Sequence, residues 1–122
     1  MPALPAIGAI VLLAALPAAA GERLTVRVSP AMTFAPANLV VRAAIEADKN
    51  NRAIEVVAES RDFYRSSEVS LEGQNAPRVS MFEFRSLPSG EYEIRVVLKD
   101  AGNQTRAMTR DTVHVIASGA GS

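Results

Sequence analysis

The stretch FEFRSLPSGEYEIRVVLKDAGN, Phe82 to Asn103, decides the fold class. Phe82 and Phe84 alternate with polar neighbours, and Leu87-Pro88-Ser89-Gly90 then breaks the period. Tyr92, Ile94, Val96 and Leu98 restore it, and Asp100-Ala101-Gly102-Asn103 ends the run in turn-forming residues. A period of two sends successive side chains to opposite faces of a strand, and Pro and Gly punctuate such runs. The segment therefore predicts a strand, a corner, a second strand and a hairpin turn, as at one edge of a β-sandwich.

The same period governs the chain from residue 21 onward. Leu24, Val26 and Val28 alternate with Arg23, Thr25 and Arg27 until Pro30. Pro30 and Pro36 frame a short segment around Met32 and Phe34, which predicts an edge strand, where a missing N–H does least harm. Leu39, Val41, Ala43 and Ile45 make the next inward row, with Arg42 and Glu46 outward, and Asp48-Lys49-Asn50-Asn51 is a polar turn. Ile54, Val56 and Ala58 face in, with Glu55 and Glu59 out. From Phe63 to Leu71 the pattern loosens into a bent edge strand, Gly73 to Pro77 reads as a loop, and Val79 to Phe84 enters the corner. The last strand spans about Gln104 to Ile116 with Val113 and Val115 inward; Met108 has the opposite parity, which predicts a bulge.

About seven or eight strands and no helical period predict an all-β fold, an antiparallel immunoglobulin-like sandwich about 100 residues long. A closed barrel is the competing architecture, because strand count does not separate the two. At 122 residues the chain suits a single domain, assigned to 21–117 with a small-residue tail at 118–122.

Residues 1–20 stand apart. They carry no charged side chain, and Ala6 to Leu16 is an apolar run ended by Pro17. Ala18-Ala19-Ala20 supplies the small residues of a cleavage site, so the segment reads as a secretory signal cut after Ala20. No Lys or Arg precedes the run, so the positive charge comes from the α-amino group or from a start further upstream. The alternative is an uncleaved anchor, although Pro5 and Pro17 make the run marginal for spanning a bilayer. The expected location is secreted or periplasmic, with membrane contact only through this segment if it stays uncut.

Thirteen basic and thirteen acidic residues give a formal net charge of zero, which argues against nucleic acid or an anionic membrane surface as partner. The absence of Cys excludes disulfides, thiol catalysis and Cys-based metal sites. Eleven Arg stand against two Lys, a bias that coding composition explains as well as function does.

Leu87-Pro88-Ser89-Gly90-Glu91-Tyr92, with Phe82 and Phe84 before it and Ile94 and Val96 after it, resembles a junction found in bacterial immunoglobulin-like and fibronectin type III-like domains. There the chain crosses from one sheet to the other. The resemblance implies that Tyr92 bonds back to upstream backbone and pins the crossover, making Leu87, Pro88, Gly90 and Tyr92 a structural corner. Asp100, Gly102 and Asn103 similarly resemble the hairpin turn that follows in such domains. The likeness is strong over these 22 or so residues and lies only in pattern elsewhere; the buried Trp and Cys pair of antibody domains are missing. It implies a fold and an association with surface or periplasmic modules, and no functional residues.

Candidate chemistry is sparse. His114, the only histidine, alternates outward between Val113 and Val115, with Asp111 on the other face, and reads as a solvent-facing strand residue. No Gly-x-Ser-x-Gly elbow, phosphate loop or metal-spaced cluster is present, so no catalytic, cofactor-binding or metal residue is assigned, no cofactor is implied, and the chain reads as a non-enzyme. Asp100 and Asn103 offer two oxygens where Ca²⁺ needs six or more, so they are read as a turn. Asn103-Gln104-Thr105 is formally a glycosylation sequon.

Two surface features remain. Arg61-Asp62-Phe63-Tyr64-Arg65 interleaves aromatics with arginines, the residue types that anchor interfaces, so Arg61, Tyr64 and Arg65 are candidate partner-binding residues, with Phe63 turned toward the core. Parity turns Val57 and Val97 outward on neighbouring strands, as an exposed apolar strip ringed by Glu55, Glu59, Arg95 and Lys99 that suits a partner or a homodimer. The expected function is a non-enzymatic exported module that binds a protein or glycan partner in the cell envelope or serves its assembly. The alternative is an accessory or regulatory domain working with a partner carbohydrate-active or proteolytic enzyme.

Overall fold

The alternating rows become strands in the computed structural model, which describes residues 23–118. The residues read as a signal segment with its cleavage site, and the end of the tail, lie outside the described residues. Eight strands follow in order: β1 (Leu24–Ser29), β2 (Met32–Phe34), β3 (Ala37–Ile45), β4 (Ala53–Glu59), β5 (Tyr64–Ser70), β6 (Val79–Leu87), β7 (Gly90–Lys99) and β8 (Thr105–Ile116). Where a loop alone was expected, Gly73–Asn75 adds one 3₁₀ turn.

The strands form two separate sheets, of order β1-β3-β6 and β2-β8-β7-β4-β5. With no ladder joining them, the fold is a β-sandwich and not a closed barrel. One pairing departs from the antiparallel expectation: β2 runs parallel to β8, with Met32 opposite His114 and Phe34 opposite Ile116. Pro30 and Pro36 bracket β2, and both of their preceding peptide bonds are cis.

The core lies between the sheets, where the inward rows meet. Leu39, Val41 and Ala43 of β3 are fully buried, as are Ile54, Val56 and Ala58 of β4. Phe84, Tyr92, Ile94 and Leu98 close the centre, and each large apolar side chain buried there contributes about 1.5–3 kcal/mol. Val26 and Val28 are only half-buried, at the margin of this cluster.

The expected parity break in β8 has a different form. Ala107, not Met108, joins Val113 and Val115 on the core side, while Met108 is 40% exposed. From Ala107 to Val115 the pairing with β7 is regular. The irregularity falls earlier, where Leu98 faces Ala107 but Lys99 faces Thr105, leaving Arg106 as the extra residue. Parity misplaced the bulge because a hydrophobic Met on the outer face mimics an inward position.

At Leu87–Gly90 the chain leaves the three-stranded sheet and enters the five-stranded one. Before this corner, Ala37 pairs with Leu87 but Leu39 pairs with Phe84, so Arg85 and Ser86 together oppose Asn38. Ser86 takes a left-handed φ of 59°, and its N–H donates to Asn38 Oδ1 at 3.0 Å. The bulge bends β6 toward the crossing. After it, the Tyr92 hydroxyl donates to the Pro88 carbonyl at 2.7 Å, with Tyr92 fully buried. The bond back to upstream backbone is therefore present. At Gly90, with φ 156°, a Cβ would sit 3.2 Å from Ser60 Cβ, so the corner packs tightly on the β4–β5 turn.

Tyr92→Phe keeps the ring and strands the Pro88 carbonyl, and is expected to cost about 1–2 kcal/mol in urea unfolding. Tyr92→Ala, which also empties the ring site, is expected to cost about 3–5 kcal/mol. An unchanged midpoint for Tyr92→Phe would show that the hydroxyl bond contributes nothing.

Candidate partner-binding surface

Two turns meet at the end of the sandwich that carries the corner. Ser60 N–H donates to the Phe63 carbonyl at 2.8 Å, which folds Ser60-Arg61-Asp62-Phe63 into a tight connection between β4 and β5. Phe63 turns inward, as expected, and its ring meets Tyr92 edge-on at 6.2 Å between centroids. Arg65 sits with its guanidinium 5.0 Å from the Phe63 ring centre and donates to the Arg85 carbonyl at 2.7 Å. Arg65, Phe63, Tyr92 and Pro88 thus form one connected stack across both turns. Burial pushes the Tyr92 phenol above its ordinary value, with the Ser60 hydroxyl and the Arg65 charge acting in the opposite direction.

Ser60, Arg61 and Asp62 from one turn and Ser89, Gly90 and Glu91 from the other line an open cleft of about 400 Å³. Its side chains are two hydroxyls, two carboxylates and one guanidinium, so it suits a polar ligand group rather than an apolar one. Arg61 is exposed at its rim, and Tyr64 is 57% exposed at the start of β5, opposite Glu59. The sequence-based trio therefore divides: Arg61 and Tyr64 face solvent, while Arg65 is committed to the Phe63 ring and to backbone.

The second candidate surface requires a correction. Val57 and Val97 do lie on the outer face of the five-stranded sheet, as diagonal neighbours on β4 and β7. They are not an exposed strip, being 3% and 9% exposed. Arg95 stands opposite Val57 and Met108 opposite Val97. Ion pairs close over the valines: Arg95 to Glu93 at 2.6 Å and to Glu59 at 3.4 Å, Lys99 to Glu55 at 2.9 Å and to Glu68 at 3.5 Å. The residues expected to ring the strip are paired with one another beside the buried valines, and long charged side chains so placed cover apolar surface with their aliphatic stems. These contacts raise the pKa of Arg95, chiefly through the Glu93 hydrogen bond, and that of Lys99, chiefly through Glu55.

The hairpin residues serve their own turn. Asp100 Oδ1 accepts from Gly102 and Gln104 N–H, both at 2.9 Å, and Asn103, with φ 65°, donates its N–H to the Asp100 carbonyl at 3.0 Å. His114 faces solvent beside Glu91, 3.4 Å away, and Asp111 lies on the other face of β8. Among the described residues no group of three or more His, Cys, Asp or Glu gathers as a metal site, and no helix is long and apolar enough to cross a membrane.

One polar node escaped the sequence reading. Asn51, read as part of a polar turn, is fully buried; its amide donates to the Glu46 carbonyl at 2.9 Å. Arg106, the bulged residue of β8, donates to Asn51 Oδ1 and lies 3.3 Å from Asp48 Oδ2. The bulge aims Arg106 across the end of the sandwich opposite the cleft. Asp48 accepts the Asn50 N–H at 2.8 Å, and this bond, with Arg106 also contributing, holds its carboxyl below the ordinary carboxylate value.

Comparison with known families and with curated proteins returns no match. Similar solved structures exist. A superoxide reductase (neelaredoxin) from Ignicoccus hospitalis superposes with a TM-score of 0.56 at 18% identity, covering 76% of this chain and 80% of that one. A variant of the same enzyme gives 0.57 at 19%, covering 80% and 82%. A family 76 glycoside hydrolase from a bovine Bacteroides thetaiotaomicron strain gives 0.55 at 12%, covering 78% of this chain and 20% of the hydrolase. The fold is therefore one that enzymes use, and the expectation of a non-enzyme is overturned by the superoxide reductase matches. At these identities the likeness carries the fold alone.

The lowered Asp48 pKa stabilises the fold above the unfolded-state value, near pH 4, and that contribution disappears as pH falls through the folded value. Asp48→Asn is therefore expected to flatten the acid limb of a stability–pH curve below about pH 4. An unchanged acid slope would show that the node does not titrate with folding.

Proposed function

We propose that the chain is an exported immunoglobulin-like or fibronectin type III-like module that binds a protein or glycan partner in the bacterial cell envelope, through the cleft end of the sandwich. The observation that carries the reading is the juxtaposition of two turns on one rigid support. The Arg65–Phe63–Tyr92–Pro88 stack holds Arg61 and Tyr64 exposed beside a cleft of hydroxyl, carboxylate and guanidinium groups. Binding residues concentrate on loops that a scaffold positions, and exposed Tyr and Arg are efficient anchors for sugars and peptides. The family assignment draws on strand order, with β6 and β7 in different sheets, and on the tyrosine that pins their junction. Export rests on the uncharged apolar run and small residues of 1–20.

A second reading, an accessory domain working beside a carbohydrate-active or proteolytic enzyme, draws on the glycoside hydrolase. There a unit of this shape occupies a small part of a much longer chain.

The test is affinity purification of the tagged full chain from its native envelope, beside an Arg61→Ala/Tyr64→Ala double variant. The expected outcome is an intact mass lacking the first twenty residues and one stoichiometric protein or polysaccharide, reduced at least about tenfold by the double variant. A copurifying hydrolase favours the second reading. Undiminished recovery by the double variant moves binding away from the cleft, and an uncut cytoplasmic product removes export.

A further inference from the structure

A sandwich of two open sheets has four edges, and three of them are blunted. β2 is three residues long between two prolines, and beyond it β8 itself forms this edge from Thr105 to Val113, interrupted by the bulge at Arg106 and carrying Arg110 and Asp111. β1 runs into Pro30 and carries Arg27 opposite Arg42, with no acidic partner for either among the described residues. β6 is bent by its bulge, and its Arg85 carbonyl is taken by Arg65. Such devices are how natural sheets prevent pairing with another chain. β5 has none of them at its backbone. It is seven residues long, contains neither Pro nor Gly, pairs with β4 without a register shift, and is exposed at every residue.

The direction of its free hydrogen-bonding groups follows from the ladder. Ser60 N–H bonds the Phe63 carbonyl and Leu71 N–H bonds the Arg52 carbonyl, at the two ends of one antiparallel register. Hydrogen-bonded pairs alternate along such a ladder, so Arg65, Ser67 and Val69 spend their backbone groups on β4. Tyr64, Ser66, Glu68 and Ser70 direct theirs away from the sheet. We propose that this edge pairs with β5 of a second copy, antiparallel about a two-fold axis at Ser67, to make one continuous sheet through both molecules.

The strand is complementary to itself in this register. Tyr64 faces Ser70, Arg65 faces Val69 and Ser66 faces Glu68, so all seven residues pair and no like charges stand opposite. Centring on Arg65 or on Glu68 would set like charges face to face, and centring on Ser66 leaves Val69 and Ser70 without a strand partner. The outward-directed pairs, Tyr64 with Ser70 and Ser66 with Glu68, are then the hydrogen-bonded ones. The Glu68 carboxylate already has Lys99 beside it at 3.5 Å, which softens its approach to the second Glu68. Tyr64 is shared with the proposed partner surface, but no cleft-lining residue lies on this edge, so the cysteine test at Ser67 and Val69 reads the pairing of β5 alone.

The absence of Cys makes the test direct. In the two-fold register the Ser67 Cα atoms are about 4.5 Å apart, within disulfide range, whereas the Val69 Cα atoms are roughly 13 Å apart. Ser67→Cys and Val69→Cys are introduced separately into the full chain and oxidised with copper phenanthroline in air. The expected result is at least roughly tenfold more disulfide-linked dimer from Ser67→Cys than from Val69→Cys. Adding Ser66→Pro, which removes only an outward N–H, is expected to reduce that yield to the Val69→Cys level, while Ser66→Ala leaves it unchanged. Equal yields from the two cysteine variants, or no dimer from Ser67→Cys, overturn the proposal. So does a yield unaffected by Ser66→Pro in a protein whose circular dichroism shows it folded; should that variant unfold, the contrast between the two cysteine variants decides alone.

Discussion

The hydroxyl of Tyr92 on the carbonyl of Pro88 is the constraint from which the rest of this sandwich can be followed. A chain that leaves one sheet and joins the other must turn through a segment with few ladder bonds. Its backbone groups therefore need partners from side chains or from tight turns. The ring of Tyr92 fills the space between the sheets while its hydroxyl satisfies the turn, so one side chain meets both the apolar and the polar requirement. Ser86 and Asn38 prepare the turn from the other side, with the strain of a left-handed serine offset by a side-chain acceptor for its N–H. Phe63 and Arg65 then extend the tyrosine's support to the next turn, which is how a fold-determining contact also comes to hold the cleft.

The opposite end is held by a different kind of interaction. Burying Asn51 is costly unless its amide is satisfied on both sides, and the Glu46 carbonyl and Arg106 do so. Arg106 reaches Asn51 because a residue is inserted in β8, so the bulge there positions a guanidinium rather than marking a flaw in the ladder. A stack of Tyr92, Phe63 and the Arg65 guanidinium closes one end, and a buried amide held by Arg106 closes the other.

The outer face of the large sheet shows why exposure is hard to infer from parity. Val57 and Val97 occupy outward positions, yet the ion pairs of Arg95 and Lys99 lie over them. Each pair is worth little on a wet surface. Their effect is geometric: by fixing long side chains in place, they cover apolar area that would otherwise invite contact. The face that parity marked as adhesive is thereby sealed, and the open backbone of β5 becomes the more accessible feature.

The sequence by itself determined what depends on near neighbours. Period two in rows such as Leu39-Val41-Ala43 and Ile54-Val56-Ala58 set the strands. Prolines 30 and 36 set the short edge strand, and the spacing of Leu87, Gly90 and Tyr92 set the corner, because pleat, ring closure and a four-residue hydroxyl reach are local. Tertiary structure alone decided the parallel pairing of β2, the burial of Asn51, the placement of the β8 bulge at Arg106, the capture of Arg65 by Arg85 and the covering of the outer valines. In each of these a side chain or strand meets a partner brought to it by the packing of the two sheets. A single residue's hydrophobicity does not encode which distant group will be opposite it, so the fold was legible and much of the surface was not.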